Sequence, residues 1–134
     1  MKKTFSSKAN KLYSSQYGKP AIHQTCMRLG LSGLNGKRAD YNLIADRSCP
    51  NCGHQNEDTV HYFLVCPIYY APRAVMMTGL SHLLPDQILD LNRNANKQTL
   101  STILLHGSNN FELDTNRKIF KLVHTYITES ARFL

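Results

Sequence analysis

Apolar residues recur at helical spacing along most of the chain. The clearest stripe occupies positions i, i+3, i+4, i+7, i+8 and i+11, which are Ile119, Leu122, Val123, Tyr126, Ile127 and Ser130. Such a stripe predicts an amphipathic C-terminal helix that packs one face against a core. Leu100, Ile103 and Leu104 predict a preceding helix, and Gly107 is placed to close it as a C-cap.

Two helices are also predicted in the first third of the chain. Pro20 suits the first turn of a helix, and Gly30 or Gly33 would end it. The residues expected on its inward face are Ile22, Cys26 and Leu29. Asn35 is expected to cap a second short helix that runs to Ile44, with Tyr41 and Ile44 facing inward.

A turn is predicted at residues 46–56, with or without a short hairpin. Helical patterns resume after it. Asn56, Glu57 and Asp58 form a capping and acidic start for a helix whose apolar stripe is Val60, Phe63 and Leu64. Pro67 and Pro72 are expected to interrupt the next stretch. From residue 74 onward the apolar positions are Val75, Leu80, Leu83 and Leu84, and after Pro85 they are Ile88, Leu89 and Leu91.

This periodicity predicts a mainly α fold with little or no β-sheet. We expect a basic, partly disordered segment over residues 1–18 and a small helical domain over residues 19–134. Within that domain, a zinc knuckle would occupy residues 46–67 and the C-terminal helices residues 68–134.

The knuckle prediction rests on four residues with metal-binding side chains. Cys49, Cys52, His61 and Cys66 form the pattern C-x2-C-x8-H-x4-C. Structural zinc sites are tetrahedral and use thiolate and imidazole ligands, and two cysteines on a tight turn followed by a His/Cys pair on a helix would supply all four. The pattern therefore predicts one structural Zn²⁺ with no open position for a substrate.

The cysteines and histidines also allow other interpretations. A lone C-x2-C would fit core thiols or a disulfide equally well, so the metal interpretation depends on the added His61 and Cys66. His54 follows Cys52 by only two residues, too few to close the loop comfortably, and is expected to be a solvated turn residue. Cys26 has apolar neighbours and is expected to be a buried thiol outside the site.

The net charge of +7, from 16 basic and 9 acidic residues, is concentrated in the first third of the chain. Residues 1–38 contain eight basic residues and no acidic ones, whereas residues 39–96 contain three basic and six acidic ones. A concentrated basic segment attracts polyanions because each neutralised phosphate releases counterions. A solubilising tail would have the same composition, but beside a zinc knuckle nucleic acid is the favoured partner.

Length and hydropathy narrow the class of protein further. A chain of 134 residues with a mean hydropathy of −0.36 is typical of a soluble domain whose modest core a zinc ion would help to hold. No apolar run approaches the ~20 residues of a membrane helix, and the residues after Lys2 and Lys3 lack the apolar core of a signal peptide. Zinc-type cysteines without such a signal indicate an intracellular location, nuclear or cytoplasmic, and no membrane partner.

The sequence around the motif resembles a known family. The segments that carry the resemblance are residues 28–35 (RLGLSGLN), 41–46, 49–53 (CPNCG) and 57–67 (EDTVHYFLVCP), followed by 103–107, 116–119 and 126–133. Together they are similar to the C-terminal cysteine–histidine region of non-LTR retrotransposon reverse transcriptases, over about residues 20–134.

The resemblance implies that this chain corresponds to the tail of a larger protein. Its partners would be nucleic acid and the upstream polymerase domain, whose catalytic aspartates have no counterpart here. Some relatives carry an endonuclease after the knuckle, built around a Pro-Asp and a later acid-x-Lys. Pro85 and Asp86 are present but acid-x-Lys is not, so an endonuclease is not expected.

The leading hypothesis is a non-catalytic accessory domain that holds element RNA or target DNA near the polymerase. The residues expected to contact phosphates are Lys19, Arg28, Lys37, Arg38 and Arg47. Tyr41 is expected to be buried, and would stack on a base if it were exposed. Three thiolates and one Zn²⁺ carry a net charge of about −1, so the affinity for phosphate must come from the surrounding cations.

The alternative hypothesis is a structural or protein-interaction zinc module that docks onto the polymerase or another protein. In that case the apolar stripe of the C-terminal helix would serve as the docking face. An enzyme is not expected, because neither H-E-x-x-H nor H-x-E with P-C-x-x-C occurs in the chain, and no small-molecule substrate is expected either.

Overall fold

The structure is a computed structural model that describes residues 18–133. Its α-helices are α1 (Lys19–Arg28), α2 (Asn35–Asp40), α3 (Tyr70–Leu83), α4 (Ile88–Leu91), α5 (Lys97–His106) and α6 (Leu113–Ser130). A π-helix at His61–Val65 and 3₁₀ turns at Pro67–Tyr69 and Asn94–Asn96 complete the regular structure. No strand occurs between residues 18 and 133, which confirms the mainly α prediction. The basic segment predicted at the N-terminus lies, apart from Gly18, outside the described residues.

Helix α6 is the centre of the fold. It packs most extensively against α3 and also contacts α1 and α5. The residues of its predicted stripe that are buried are Ile119, Val123, Tyr126 and Ile127, so the inward face was predicted correctly. Gly107 ends α5 with a φ of 70° and donates its N–H to the Ile103 carbonyl at 2.8 Å, as the C-cap prediction requires.

Helix α1 begins and ends where the sequence predicts, but it turns a different face inward. Pro20 lies in its first turn, and Gly30, with a φ of 73°, follows its end. Of the three residues predicted to face inward, Ile22 and Leu29 are 59% and 66% exposed and Cys26 is only half-buried. The buried positions are instead Ala21, Gln24 and Met27.

Polar contacts determine this choice of face. The Gln24 amide donates to the Leu104 carbonyl at 2.8 Å, and its oxygen lies 2.7 Å from His124 Nε2. Arg28 Nε donates to the Leu105 carbonyl. Apolar periodicity cannot anticipate a helix that is anchored through hydrogen bonds, and this is why the prediction for α1 was wrong.

The prediction for α2 was wrong in its end and its cap. The helix stops at Asp40 rather than Ile44, because Asn42 adopts a φ of 61° that breaks the helical path. Asn35 is the first helical residue, not the cap, and its side-chain amide donates to the Ser48 carbonyl at 2.8 Å. Tyr41, predicted to face inward, is 53% exposed, and Ile44 is half-buried.

Helix α3 begins before the predicted start at residue 74. Pro72 lies within its first turn, where a missing N–H leaves no intrahelical hydrogen bond unmade, so it does not interrupt the helix. Leu80 and Leu84 are buried as predicted, but Val75 and Leu89 are exposed.

None of the helices within residues 18–133 has both the length and the apolar character needed to cross a membrane.

Candidate metal centre

The four residues of the cysteine–histidine motif converge on one point. The Sγ atoms of Cys49, Cys52 and Cys66 and a ring nitrogen of His61 all lie within 4.8 Å of one another. Cys49 Sγ is 3.9 Å from Cys66 Sγ, and Cys52 Sγ is 3.3 Å from His61 Nε2. A tetrahedral site with Zn–S bonds of about 2.3 Å has edges of about 3.5–3.8 Å. The cluster can therefore hold one metal ion after adjustments of about 1 Å or less.

The first two ligands lie on a tight turn that the backbone closes. Gly53 N donates to the Cys49 carbonyl at 2.9 Å, and Cys49 N donates to the His54 carbonyl at 2.8 Å. Gly53 has a φ of 78°, a conformation that glycine adopts without steric cost. Cys49 is buried, whereas Cys52 reaches the surface, so one side of the turn faces solvent.

The other two ligands are brought together by the π-helix. In an α-helix, residues five apart are rotated by about 140° from each other around the helix axis, so their side chains cannot coordinate the same ion. Here Cys66 N donates to the His61 carbonyl at 2.8 Å, which closes a wider, five-residue turn between the two ligands. The sequence predicted a helical start in this segment but not its π geometry.

A side chain caps the turn that leads into the π-helix. Asp58 Oδ1 accepts a hydrogen bond from His61 N at 2.8 Å, as expected of an acidic residue at this position. Phe63 and Leu64 are buried as predicted, and Tyr62, which the predicted stripe omitted, is fully buried as well.

Side chains from α3 and α6 hold the π-helix in place. Arg73 donates to the Phe63 carbonyl at 2.9 Å through Nε and to the Cys66 carbonyl at 2.6 Å through Nη2. The Tyr126 hydroxyl donates to the Tyr62 carbonyl. A π-helix is intrinsically unfavourable, so these three contacts fix the arrangement that aligns His61 with Cys66.

Burial disfavours the charged forms of Cys66 and His61. Burial above all raises the pKa of the Cys66 thiol to about 12; a backbone hydrogen bond from Ile68 lowers it, and the neighbouring thiols of Cys52 and Cys49 raise it. At neutral pH the thiol therefore stays protonated unless positive charge is supplied nearby. Burial, followed by the nearby His54, lowers the pKa of His61, which keeps the ring in the neutral form that a metal requires. Two or more thiolates with an imidazole are the donor set that Zn²⁺ prefers.

His54 is close to the cluster but is not part of it. Its ring stacks on His61 with the centroids 4.5 Å apart, and its Nδ1 lies 3.1 Å from the Asn56 carbonyl oxygen. It is exposed, as predicted for a solvated turn residue. On His61 itself, the ring nitrogen Nδ1 is buried and has no hydrogen-bond partner among the described residues. His61 Nε2 is the ring nitrogen that faces the cysteines, since it lies 3.3 Å from Cys52 Sγ.

An ion pair that the sequence did not reveal lies directly before the π-helix. Glu57 has no exposed surface, and its two carboxylate oxygens accept hydrogen bonds of 2.7 Å each from Nε and Nη2 of Arg132. Asn35 N donates to the same carboxylate at 2.7 Å. Glu57 thus joins the start of α2 to the C-terminal end of the chain. Nothing local marks this role, because the partners are 75 residues apart.

The five residues predicted to contact phosphates lie on α1, on α2 and in the loop after α2. Lys37 and Arg47 lie 3.9 Å and 2.9 Å from the Asp40 carboxylate, and Arg38 is exposed nearby. Arg28 instead lies across α1 with its guanidinium carbon 4.8 Å from the Phe120 ring centroid. Lys19 is exposed at the start of α1.

Comparisons of this chain with protein-family models, with curated proteins and with solved structures find no match. The resemblance to retrotransposon reverse transcriptases rests on the sequence segments alone and stays a prediction.

Proposed function

We propose that the chain binds one structural Zn²⁺ through Cys49, Cys52, His61 and Cys66. The observation that carries this proposal is the convergence of three thiols and one imidazole nitrogen within 4.8 Å. Four protein ligands complete a tetrahedron, so the ion would hold the Cys49–Gly53 turn against the π-helix and would offer no position to a substrate.

We further propose that this zinc-stapled domain is a non-catalytic nucleic-acid-binding module from the C-terminus of a retrotransposon reverse transcriptase. The net charge of +7 and the family resemblance support this function. The exposed positions of Lys19 and Arg38 are compatible with phosphate contacts. Its partners would be RNA or target DNA and the upstream polymerase domain.

The experiment that tests this function is a binding titration of the zinc-loaded full chain with an RNA hairpin and with single-stranded DNA, across a salt series. Micromolar or tighter binding that weakens steeply with salt is expected, because each phosphate contact contributes about 0.7–0.9 to the logarithmic salt slope. The variant Cys49→Ser/Cys52→Ser should lose most of this affinity. Binding that survives the double substitution would assign it to the basic segment before residue 18, and no binding at low salt would refute the function.

A protein-docking module is the second candidate, and an apolar groove favours it. The groove has a volume of about 470 Å³ and lies between α3 and α6, where Val75 and Met76 face Leu122 and Tyr126. Val75 is exposed at its rim, and Tyr70 at the start of α3 is exposed as well. An upstream polymerase domain could cover such a face.

The two candidates make different predictions for Val75→Asp. In the docking function this change should abolish self-association or polymerase binding measured by analytical ultracentrifugation and leave nucleic-acid affinity intact. Leu89→Asp, on the exposed side of α4, is the matched control. Monomeric wild type with no affinity for a polymerase fragment would remove the docking candidate.

A further inference from the structure

Helix α2 ends in a backbone reversal that leaves two large side chains in solvent. Asn42 adopts a φ of 61°, and after it Leu43 N donates to the Arg38 carbonyl at 2.9 Å. In this type of helix end, the residue after the reversal folds back toward the last turn of the helix. Tyr41 and Leu43 are nevertheless 53% and 68% exposed. Neighbouring exposed apolar side chains of this kind are typical of an interaction surface.

An arginine completes this group of side chains. Arg38 and Tyr41 are three residues apart, so their side chains are neighbours on the surface of α2. Arg38 is exposed and forms no ion pair within residues 18–133. In the same part of the chain, the Tyr41 ring packs on no other aromatic ring. We call Arg38, Tyr41 and Leu43 the α2 platform.

The α2 platform is attached to the zinc knuckle at both ends of its helix. At the start of α2, the Asn35 side-chain amide donates to the Ser48 carbonyl at 2.8 Å. At its end, Asp40 accepts a hydrogen bond of 2.9 Å from Arg47. Arg47 and Ser48 directly precede Cys49, the first residue of the candidate metal site. A zinc ion that fixes Cys49 would therefore also fix the position of the platform.

The charges beside the platform are too few to hold a polyanion by attraction alone. Lys37 and Arg47 lie 3.9 Å and 2.9 Å from the Asp40 carboxylate, which offsets part of their charge. A cluster of three thiolates and one Zn²⁺ would add a charge of about −1 nearby. A ligand that also gains from the exposed ring of Tyr41 would bind here more tightly than one held by its phosphates only.

Building on the proposed nucleic-acid-binding function, we propose that the α2 platform binds single-stranded rather than double-stranded nucleic acid. Tyr41 stacks on a base, Leu43 adds apolar area beside it, and Arg38 contacts a neighbouring phosphate. The bases of a single strand have free faces, and each of them can stack on an aromatic ring. In a duplex these faces are covered by the neighbouring base pairs, so a duplex could use Arg38 but not Tyr41. Binding of this kind is tolerant of sequence.

Affinity measurements on the full, zinc-loaded chain test the role of Tyr41. The probes are a labelled single strand of about 15 nucleotides, as RNA and as DNA, and the DNA duplex of the same sequence, followed by fluorescence anisotropy. At about 0.15 M salt, where attraction between exposed charges is screened, the wild type is expected to bind the single strands more tightly than the duplex.

Tyr41→Ala is expected to bind the single strands about 5- to 150-fold more weakly, which corresponds to the loss of one stacked base, and the duplex within about twofold of wild type. Tyr41→Phe keeps the ring and should keep wild-type affinity. Tyr70→Ala is the matched control, because it removes a tyrosine that is 74% exposed at the start of α3, and it should also bind as the wild type does. Thermal unfolding followed by circular dichroism checks that the variants are folded.

Tyr41→Trp gives a direct signal of stacking. The chain contains no tryptophan, so the new indole is its only source of tryptophan fluorescence. Titration with a single strand should quench this fluorescence, because a base lies against the indole, whereas the duplex at equal occupancy should not. Tyr70→Trp should keep its emission in both titrations. A purely structural role of Tyr41 would not produce this difference.

Unchanged single-strand affinity in Tyr41→Ala would overturn the inference, and so would equal losses for single strand and duplex. Absence of quenching in Tyr41→Trp at saturating single strand would also overturn it; in all these cases the proposed function stands, since the wild type still binds nucleic acid. Emission of Tyr41→Trp that changes with protein concentration alone would identify a second copy of the chain as the occupant instead. Failure of the wild type to bind any of the probes at low salt would refute the proposed function itself.

Discussion

Replacing Arg132 by methionine should destabilise the domain severely, because it would leave the buried Glu57 carboxylate without its cation. Glu57 is 0% and the Arg132 side chain 15% exposed, and two hydrogen bonds of 2.7 Å join them. Among the described residues, only the backbone N–H of Asn35 would remain as a donor to this carboxylate in Arg132→Met. Removing one partner of a buried pair costs about 3–5 kcal/mol, which for a domain of this size lowers Tm by about 12–20 °C.

A double-mutant cycle isolates this interaction. Glu57→Gln removes the buried charge and leaves Arg132, near the surface, able to bind water, so its cost should be smaller than that of Arg132→Met. The double variant Glu57→Gln/Arg132→Met should then be more stable than Arg132→Met alone. Unfolding by urea at saturating zinc measures all four proteins. If the free energy of unfolding of Arg132→Met is within about 1 kcal/mol of the wild-type value, the buried Glu57 carboxylate is not stabilised by Arg132 and the reasoning fails.

Three further changes test the metal centre and its surroundings. Cys49→Ser should lower zinc affinity by orders of magnitude, measured by competition with a chromophoric chelator, and chelation of the wild type should lower its Tm. Arg73→Leu removes the donors to the Phe63 and Cys66 carbonyls and should cost about 2–4 kcal/mol in urea unfolding, whereas unchanged stability would show that the π-helix holds without it. Gly36→Ala would place a Cβ 2.7 Å from the backbone oxygen of Glu57 and should cost about 1–3 kcal/mol, while Gly33→Ala, with its nearest contact at 3.7 Å, should be nearly neutral.

The parts of the fold that were predicted correctly are those encoded locally. The stripe of α6 places Ile119, Val123 and Tyr126 at a spacing that only a helix can turn toward one core. The four residues of the candidate metal site were found from their chemistry and spacing, because a C-x2-C turn with a later His and Cys is typical of a zinc site. In both cases the deciding information lies within fewer than 20 residues of sequence.

The predictions for α1 and for Glu57 failed because contacts with residues distant in sequence determine the local structure there. Helix α1 turns Gln24 inward because the Leu104 carbonyl, 80 residues away, accepts its hydrogen bond. Glu57 looked like an acidic residue at a helix start, but the capping role belongs to Asp58, and the carboxylate of Glu57 pairs with Arg132. No periodicity or propensity contains this information, since the partners meet only after the helices have packed.

The same dependence on distant partners predicts that residues 46–67 bind zinc more weakly when the C-terminal helices are absent. His61 and Cys66 share one face only in the π turn, whose carbonyls are held by Arg73 of α3 and Tyr126 of α6. A peptide of residues 46–67 contains all four ligands but neither of these donors, and so short a helix does not form by itself. If ordering the turn costs the peptide the roughly 2–4 kcal/mol that these contacts supply, it should bind zinc about 30- to 1,000-fold more weakly than the full chain. Chelator competition measures both affinities, and equal values would mean that the ligands organise the turn without help from α3 and α6.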